Sequence, residues 1–431
     1  MATNHKSLLV DAKSARALEL NNLRLALVNT DHSASYERWV QADTRGFNSP
    51  ERTADEARGM MDGVAYRRVT GVYDDSAADP DTPVGTVSSW PGPLTVPGSR
   101  AVQAWAISSV TVSPTHRRRG IARAMLEAEL RTAVASGVPL AMLTVSEATI
   151  YERFGFAPAA MAADLTIDTR RARWVGTTPS GRVHFVERAQ LRRDVDSLVN
   201  AWRIQSPGEI LAWPRLWDLQ LGLAADDTES GKHLRAIRYD DENGQAQGFA
   251  IYKLKEDEQD YSRHTATLTY LLALTPDAYS ALWQHMLELD LTATVKAPLR
   301  SVDEPLLWQV DNQRAIEQRH HDHLWLRILD VVGALSARSY AAPLDLTIAV
   351  TDDLDFAAGT YRVRNAVVEP VDTATPDLTM PVNSLSALYL GGVSATTLRD
   401  AGRITEHTAD AAAAMDTAFR SPVTPWLSLW F

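Results

Sequence analysis

Apolar residues recur along this chain first at strand spacing and then at helical spacing, with a short basic turn between. Ala104–Val112 reads as a strand, and residues 121–136 carry an apolar stripe at Ala122, Met125, Leu126, Ala133 and Val134. That stripe predicts a helix, with Gly137 as its C-cap. Leu140–Val145 then predicts a strand and Ile150–Phe154 a short helix. Upstream, Ser35–Ala42 reads as a helix and Pro50–Asp62 as another, with Ser49 as N-cap and Pro50 in the first turn. Val64–Tyr73 alternates weakly, Asp74–Pro83 is a polar run rich in turn residues, and Val84–Ser89 reads as a strand. Trp90–Ser99 holds three prolines and two glycines and reads as a loop.

The same order returns further along. Phe249–Leu254 and Thr265–Leu274 predict strands, and Asp277–Leu289 a helix. From about residue 311 the composition shifts. Leu344–Val350, Thr360–Val368 and Asp377–Met380 predict the strands of a small sheet, with helices at Val382–Tyr389, Ala395–Ala401 and Ala409–Phe419. The expected fold class is α/β (α+β), in three units covering 1–172, 173–310 and 311–431. The chain ends on Pro425-Trp-Leu-Ser-Leu-Trp-Phe431, an apolar terminus of the kind that docks rather than frays.

Composition narrows the chemistry. A chain of 431 residues exceeds one ordinary core, and 45% hydrophobic with 23% charged residues is a globular balance. The absence of cysteine excludes disulfides, a thiolate nucleophile and Cys-based zinc sites. A net charge of −11 argues against a nucleic-acid partner. An acidic protein with one basic turn suits an anionic cofactor and a cationic second substrate. No apolar run reaches the length of a membrane span and no secretory h-region opens the chain, so no membrane partner and a cytoplasmic location are expected.

The basic turn lies in Val110-Thr-Val-Ser-Pro-Thr-His-Arg-Arg-Arg-Gly-Ile-Ala122. An arginine triplet alone reads equally as a solvated turn or a small nucleic-acid patch. Here a strand precedes it and a glycine opens a helix behind it, which is the order of a diphosphate cradle. Unpaired N–H groups and the helix dipole both favour an anion there. Gly120 allows close approach of the backbone, ahead of Ile121 and Ala122, and Arg117 and Arg118, with Arg119 beside them, offer forked donors. The backbone of Val110, Thr111 and Val112 is placed to pair with an extended ligand as an added strand. Tyr151 precedes Phe154-Gly155-Phe156, and a phenol with a reference pKa near 10 stays protonated at neutral pH, fit to give a proton to a departing group. A packing tyrosine is the competing reading.

The equivalent turn of the second unit, Ala273–Tyr279, has neither arginine nor glycine, and its Asp277 would repel a diphosphate. His320-His321-Asp322-His323 reads as a surface or interface turn, because His320 and His323 alone are too few for a structural zinc site. No metal is expected. Without a G-x-S-x-G elbow a serine hydrolase is disfavoured, and Asn243-Gly244 marks a turn.

The stretch Val110–Ala122 resembles the acetyl-CoA motif of the GCN5-related N-acetyltransferases (GNAT). Together with Ser146–Pro158, Leu324–Ala341 and Leu385–Gly391 it makes the whole chain resemble the enhanced intracellular survival (Eis) family. The resemblance implies tandem GNAT domains followed by a sterol carrier protein 2-like domain. It implies acetyl-CoA as co-substrate, a homohexamer and acetylation of aminoglycoside or other polyamine-like substrates, a small-molecule class, at several positions. It also implies roles for single residues. Tyr151 becomes the general acid, the Phe431 carboxylate the proposed base, Ser146 a neighbour of cofactor and pocket, and Phe47 an aromatic lining the acceptor pocket. The N-terminal region diverges from the family, so the acidic lining stays open among Asp43, Glu51, Asp55 and Glu56. Two other readings remain: a protein lysine acetyltransferase, and a non-enzymatic ligand-binding scaffold built on the C-terminal sheet.

Overall fold

In the computed structural model, which describes residues 5–224, 231–364, 366–372 and 375–431, the chain first lays down helix α1 (Ala12–Glu19) and strand β1 (Arg24–Leu27). Helices α2 (Ser33–Gly46) and α3 (Ala54–Val64) follow, then strands β2 (Arg68–Tyr73), β3 (Gly85–Val96) and β4 (Arg100–Val112). Helix α4 (Ile121–Ala135), strand β5 (Leu140–Thr144) and the short helix α5 (Ala148–Tyr151) complete this segment. Asp11 caps α1, whose Ser14 Oγ donates to Ala124 O of α4 at 2.7 Å. Beneath them Arg68 and Glu129 form a fully buried ion pair at 2.5 Å.

Three expectations need correction here. Helix α3 starts four residues later than Pro50 implies, because Thr53 and Glu56 close a reciprocal capping box. Val134 lies 41% exposed, and the core face of α4 is instead Ile121, Ala124, Met125, Leu126, Leu130 and Ala133. Residues 90–96 are strand rather than loop: Pro91 pairs with Trp105 and Pro93 with Gln103. Strand β2 covers β3 only as far as Ser89, so the two prolines fall where β3 has become an edge and no donor is missed.

Strand β6 (Ala157–Asp168) leads into the second unit. It continues with β7 (Arg182–Phe185), α6 (Arg188–Arg203), α7 (Pro214–Gln220), β8 (Leu234–Asp240), β9 (Ala246–Lys255) and β10 (His264–Ala273). Helix α8 (Pro276–Leu287), β11 (Thr292–Arg300) and β12 (Ile316–Ile328) follow. The histidine cluster lies inside β12, not in a turn, and His323 is 1% exposed. Alternation along a strand puts His321 and His323 on one face and His320 on the other.

The remaining segment carries α9 (Val331–Ala337), β13 (Asp345–Thr351), β14 (Gly359–Arg364), β15 (Val367–Pro370), β16 (Leu378–Pro381), α10 (Val382–Leu388), α11 (Ala395–Asp400), β17 (Thr405–Glu406) and α12 (Ala411–Phe419). Its five strands form a separate sheet in the order β15-β14-β13-β16-β17.

Packing divides the chain into two units, one of residues 1–159 with 324–422 and Phe431, the other of 160–323 with 423–430. In the first, β1 to β5 lie in chain order and the Leu324–Ile328 half of β12 pairs with β5. In the second, β7 to β11 lie in chain order and β6 pairs with β11. Each run thus meets a strand from outside it, β12 against β5 and β6 against β11. Within each of these two sets every pairing is antiparallel except one, β4 with β5 and β10 with β11.

Candidate active site

Strands β4 and β5 pair at Ala104↔Leu140, Trp105↔Ala141 and Ala106↔Met142, and then part. Beyond that point β4 keeps β3 as its neighbour, while Leu143 and Thr144 keep β12. A bulge opposite Val87, with Ser109 at φ 57°, bends β4 away. The β5-facing side of Ile107–Val112 is left without a strand partner, as at a sheet edge. Val110 and Val112 pack on the core beneath α4, and Thr111 turns the other way onto Thr86, hydroxyl to hydroxyl at 2.6 Å.

The chain leaves β4 through the turn Pro114–His116 and enters α4 at Gly120, which sits at φ 78° with no side-chain cap. Among the described residues nothing accepts from the N–H groups of Gly120, Ile121, Ala122 or Arg123. A Cβ on Gly120 would meet nothing within 4 Å, so nothing crowds the chain at that residue. Arg118 is also left-handed, at φ 64°, and alternating backbone handedness turns successive N–H groups into an anion-binding concavity. The three arginines differ in employment. Arg117 and Arg118 are exposed. Arg119 donates to Asp74 Oδ2 at 2.9 Å and to Asn21 O at 2.8 Å, which fastens the turn. Hydrogen bonds from Ser76, Arg119 and His116 hold the Asp74 carboxyl well below the usual range.

Tyr151 ends α5 and is 9% exposed, its ring edge-on to Phe156 at 6.2 Å. Its hydroxyl has no hydrogen-bond partner among the described residues. Burial, assisted by Glu147, pushes the phenol up to about 12, so it is a proton donor throughout the neutral range. Ser146 is exposed just ahead of this turn. The turn itself is gripped from the C-terminal segment. Arg327 Nε donates to Phe154 O at 2.7 Å, and Arg327 Nη2 reaches both oxygens of Asp352 at 2.7 Å. Asn383 Nδ2 donates to Glu152 O at 2.8 Å and Phe156 O at 2.9 Å. Gly155, at φ 84°, is required twice over, because a Cβ there would overlap the Arg327 side chain.

A polar cluster lies on the α2 side of β3 and β4. Of the four acidic candidates, Glu51 and Asp55 are exposed and Glu56 is spent on the capping box, whereas Asp43 is 4% exposed. Burial pushes Asp43 up to about 7, against the pull of Arg67 and the hydroxyls of Ser109 and Thr86. Its Oδ1 has no partner among the described residues. Arg67 lies 4.1 Å over the Trp90 ring, which meets Tyr66 and Phe431 edge-on at 5.5 and 5.7 Å. Thr144, the last residue of β5, donates through Oγ1 to Phe431 O at 3.0 Å. The chain terminus is thus held at the point where β5 has left β4. Phe47, 48% exposed, ends α2 with its N–H on Asp43 O. Among the described residues no group of three His, Asp or Glu side chains is placed to hold a metal ion, and no helix is long and apolar enough to cross a membrane.

Known family models match three stretches: an acetyltransferase (GNAT) domain over 30–159, a second over 210–328, and a sterol carrier protein domain over 331–428. The chain is 34% identical to N-acetyltransferase Eis of Mycobacterium tuberculosis over 77% of its own length and 81% of that protein's. It belongs to the Eis family of GNAT N-acetyltransferases. It is also 33% identical to an uncharacterized N-acetyltransferase of Streptomyces avermitilis, over 90% and 94% of the two chains. The crystal structure of Eis1 from Mycobacterium abscessus superposes with a TM-score of 0.81 at 27% identity, covering 94% of this chain and all of that one. A GNAT N-acetyltransferase from Kribbella flavida shares the fold, with a TM-score of 0.70 at 21% identity. The tandem GNAT and sterol carrier-like architecture expected from sequence is therefore the observed one, and the protein is an acyltransferase. A GNAT domain implies acetyl-CoA as acyl donor, and the open, uncapped start of α4 fits its diphosphate.

Sequence reasoning missed several parts of this Eis-type site. The grip of Arg327, Asp352 and Asn383 joins residues more than 170 positions apart to the Tyr151 turn. Thr144 and Trp90 as supports of Phe431 had no signal in local pattern. Asp43 was on a short list that only burial could shorten.

Proposed function

We propose that the first GNAT domain transfers the acetyl group of acetyl-CoA to primary amines of polycationic, aminoglycoside-like small molecules, at one or several positions. The parting of β4 from β5 carries this reading. It opens onto the arginine turn at one end and is supported by Thr144 and Phe431 at the other.

In this reading the N–H groups of Gly120, Ile121 and Ala122 receive the diphosphate, with Arg117 and Arg118 closing over it while Arg119 holds the turn in place. The unpaired side of Val110–Val112 pairs with the pantetheine amides, and a backbone N–H there receives the thioester oxygen as it gains charge. Ser146 borders the thioester end. The amine nitrogen attacks the carbonyl carbon, the C–N bond forms and the C–S bond breaks with its electron pair on sulfur. Tyr151 gives its proton to that sulfur and regains one from water. The proton shed by nitrogen passes to a carboxylate. Phe431 supplies one at the end of β5, and Asp43 supplies another on the α2 side, raised into the range where it both attracts an ammonium and accepts a proton. Phe47 borders the acceptor's entry. The functional partition is 1–172 for catalysis, 173–310 for the degenerate GNAT domain and 311–431 for the C-terminal domain, within a cytoplasmic homohexamer.

The test is release of coenzyme A from acetyl-CoA by tag-free enzyme against aminoglycosides, linear polyamines and lysine peptides. Turnover with aminoglycosides, with more than one acetyl group added per molecule, is the expected result. Turnover confined to lysine peptides overturns the small-molecule reading and leaves a protein acetyltransferase.

A further inference from the structure

The second GNAT domain repeats the parting of strands seen in the first. β10 and β11 run parallel and pair from His264↔Thr292 to Thr267↔Lys296, and then separate. β10 keeps β9 and β11 keeps β6 on their outer sides, so Leu268–Ala273 and Ala297–Arg300 face a wedge between them. In the first domain the matching edge of β4 beyond Ala106 has no strand partner among the described residues. Here the wedge is occupied by the chain's own C-terminal segment, as Trp426 and Ser428 line the same small cavity as Leu268–Leu271 and Pro298–Arg300.

The fit is built rather than incidental. Trp426 N donates to Pro207 O at 2.9 Å, its ring stands edge-on to Trp202 at 5.5 Å, and the Arg300 guanidinium lies 4.9 Å over it. Gly208, at φ 98°, lets this backbone approach, since a Cβ there would sit 2.8 Å from Trp426 O. Ser428 N donates to Glu209 Oε1 at 2.6 Å, and Ser428 Oγ lies 3.1 Å from the Tyr270 hydroxyl. Leu429 O lies 2.9 Å from His323 Nε2, and the His323 and Trp430 rings meet edge-on at 4.4 Å. Both titratable partners are buried, which pushes Glu209 up to about 8 and His323 down to about 4. Both are therefore mainly uncharged at neutral pH, as suits a site whose ligand is an uncharged, tryptophan-rich peptide.

We infer that the wedge of the degenerate GNAT domain, the counterpart of a pantetheine slot, is a peptide-binding site for residues 423–430, and that its function is to present Phe431 for catalysis. The ligand class is an extended apolar peptide with a small polar residue two positions after a tryptophan. The inference rests on the proposed role of Phe431 for its catalytic consequence, but not for the binding itself.

The experiment uses the full-length chain with Trp426→Ala, which removes the anchor ring. Carboxypeptidase is expected to release Phe431 at least about ten-fold faster than from the parent, and acetyl transfer is expected to fall, with the KM for acetyl-CoA little changed. A synthetic peptide of residues 423–431 is then added in trans, once with a free carboxylate and once as the amide. Binding of both peptides, with turnover restored by the carboxylate form alone, is the expected result. Binding of neither, or unchanged release of Phe431, overturns the binding site. Equal rescue by both leaves the site standing and overturns the role of the carboxylate. Ser428→Pro, which deletes the N–H given to Glu209 at the chain's edge, is a second variant expected to loosen the tail in the same way should Trp426→Ala fold poorly.

Discussion

The two GNAT domains present the same junction, a strand leaving its parallel partner and a turn into a helix, and finish it in opposite ways. At the start of α4, Gly120 offers no side-chain cap, and among the described residues the first N–H groups of the helix have no acceptor. At the start of α8, Thr275 Oγ1 accepts from Ala278 N at 3.1 Å and Pro276 removes one donor altogether. The carboxylate of Asp277, expected only to repel a diphosphate, is also a structural acceptor for the N–H and hydroxyl of Ser180 and the hydroxyl of Tyr239. Among the described residues no strand pairs with the β5-facing edge of Ile107–Val112, whereas the second wedge is lined by Trp426 and Ser428. A binding site in this fold is what the backbone leaves unsatisfied, and it closes when the chain satisfies itself.

This contrast can be broken or sharpened by substitution. The largest effect is expected from Tyr151→Phe. If the chemistry belongs to the first domain, turnover falls by about 100-fold or more while the KM for acetyl-CoA stays within a few-fold. Retained turnover in steady-state assays removes Tyr151 from the mechanism. Next is Gly120→Asp, which gives the first helix the kind of end the second has. A self-capping carboxylate facing the diphosphate, on a backbone of positive φ, should raise the KM for acetyl-CoA by about 10- to 100-fold, equivalent to about 1.4–2.8 kcal/mol. Isothermal titration with coenzyme A reports it directly.

A third prediction concerns pH. The Asp43 carboxyl rises from 3.8 to about 7 in the folded chain, so the folded state binds a proton in that window that the unfolded state has lost. Its contribution to stability is greatest on the acid side and is lost as pH rises through about 7. Activity should run the other way, with kcat/KM increasing as Asp43 ionises. Asp43→Asn should flatten both profiles, read by thermal melts and initial rates between pH 5 and 9. The smallest effect is expected from Thr275→Ala. Loss of that cap should cost ~1 kcal/mol of stability, visible as a lowered melting temperature, and should leave acetyl-CoA binding unchanged.

Much of the site was legible because it is local. The arginine turn, Gly120 and the α4 stripe are contiguous, and Tyr151 stands four residues before the glycine that ends its turn. Departures from expectation came from distant partners. The prolines at 91 and 93 read as loop because the sequence does not say that β2 stops short of them. Val134 read as core because helical spacing locates a stripe but not its width. The histidines at 320–323 read as a turn because four polar residues mask the strand that surrounds them. Asp43 could not be told from Glu51, Asp55 and Glu56 until burial separated them. The Tyr151 turn showed its glycine but not Arg327, whose guanidinium is the reason a side chain is excluded there.

The sequence by itself determined the family and the order of strand, arginine turn and helix in the first GNAT domain, because a helix end and its flanking turn are set by neighbours in the chain. It also showed that the equivalent turn of the second domain carries neither arginine nor glycine. Only the tertiary structure decided which donors stay free, which carboxylate is buried, and where the terminus is held. Those properties depend on exclusion of water and on hydrogen bonds between residues hundreds of positions apart. Thr144 to Phe431 is one such bond and Glu209 to Ser428 another, and no local pattern of residues encodes them.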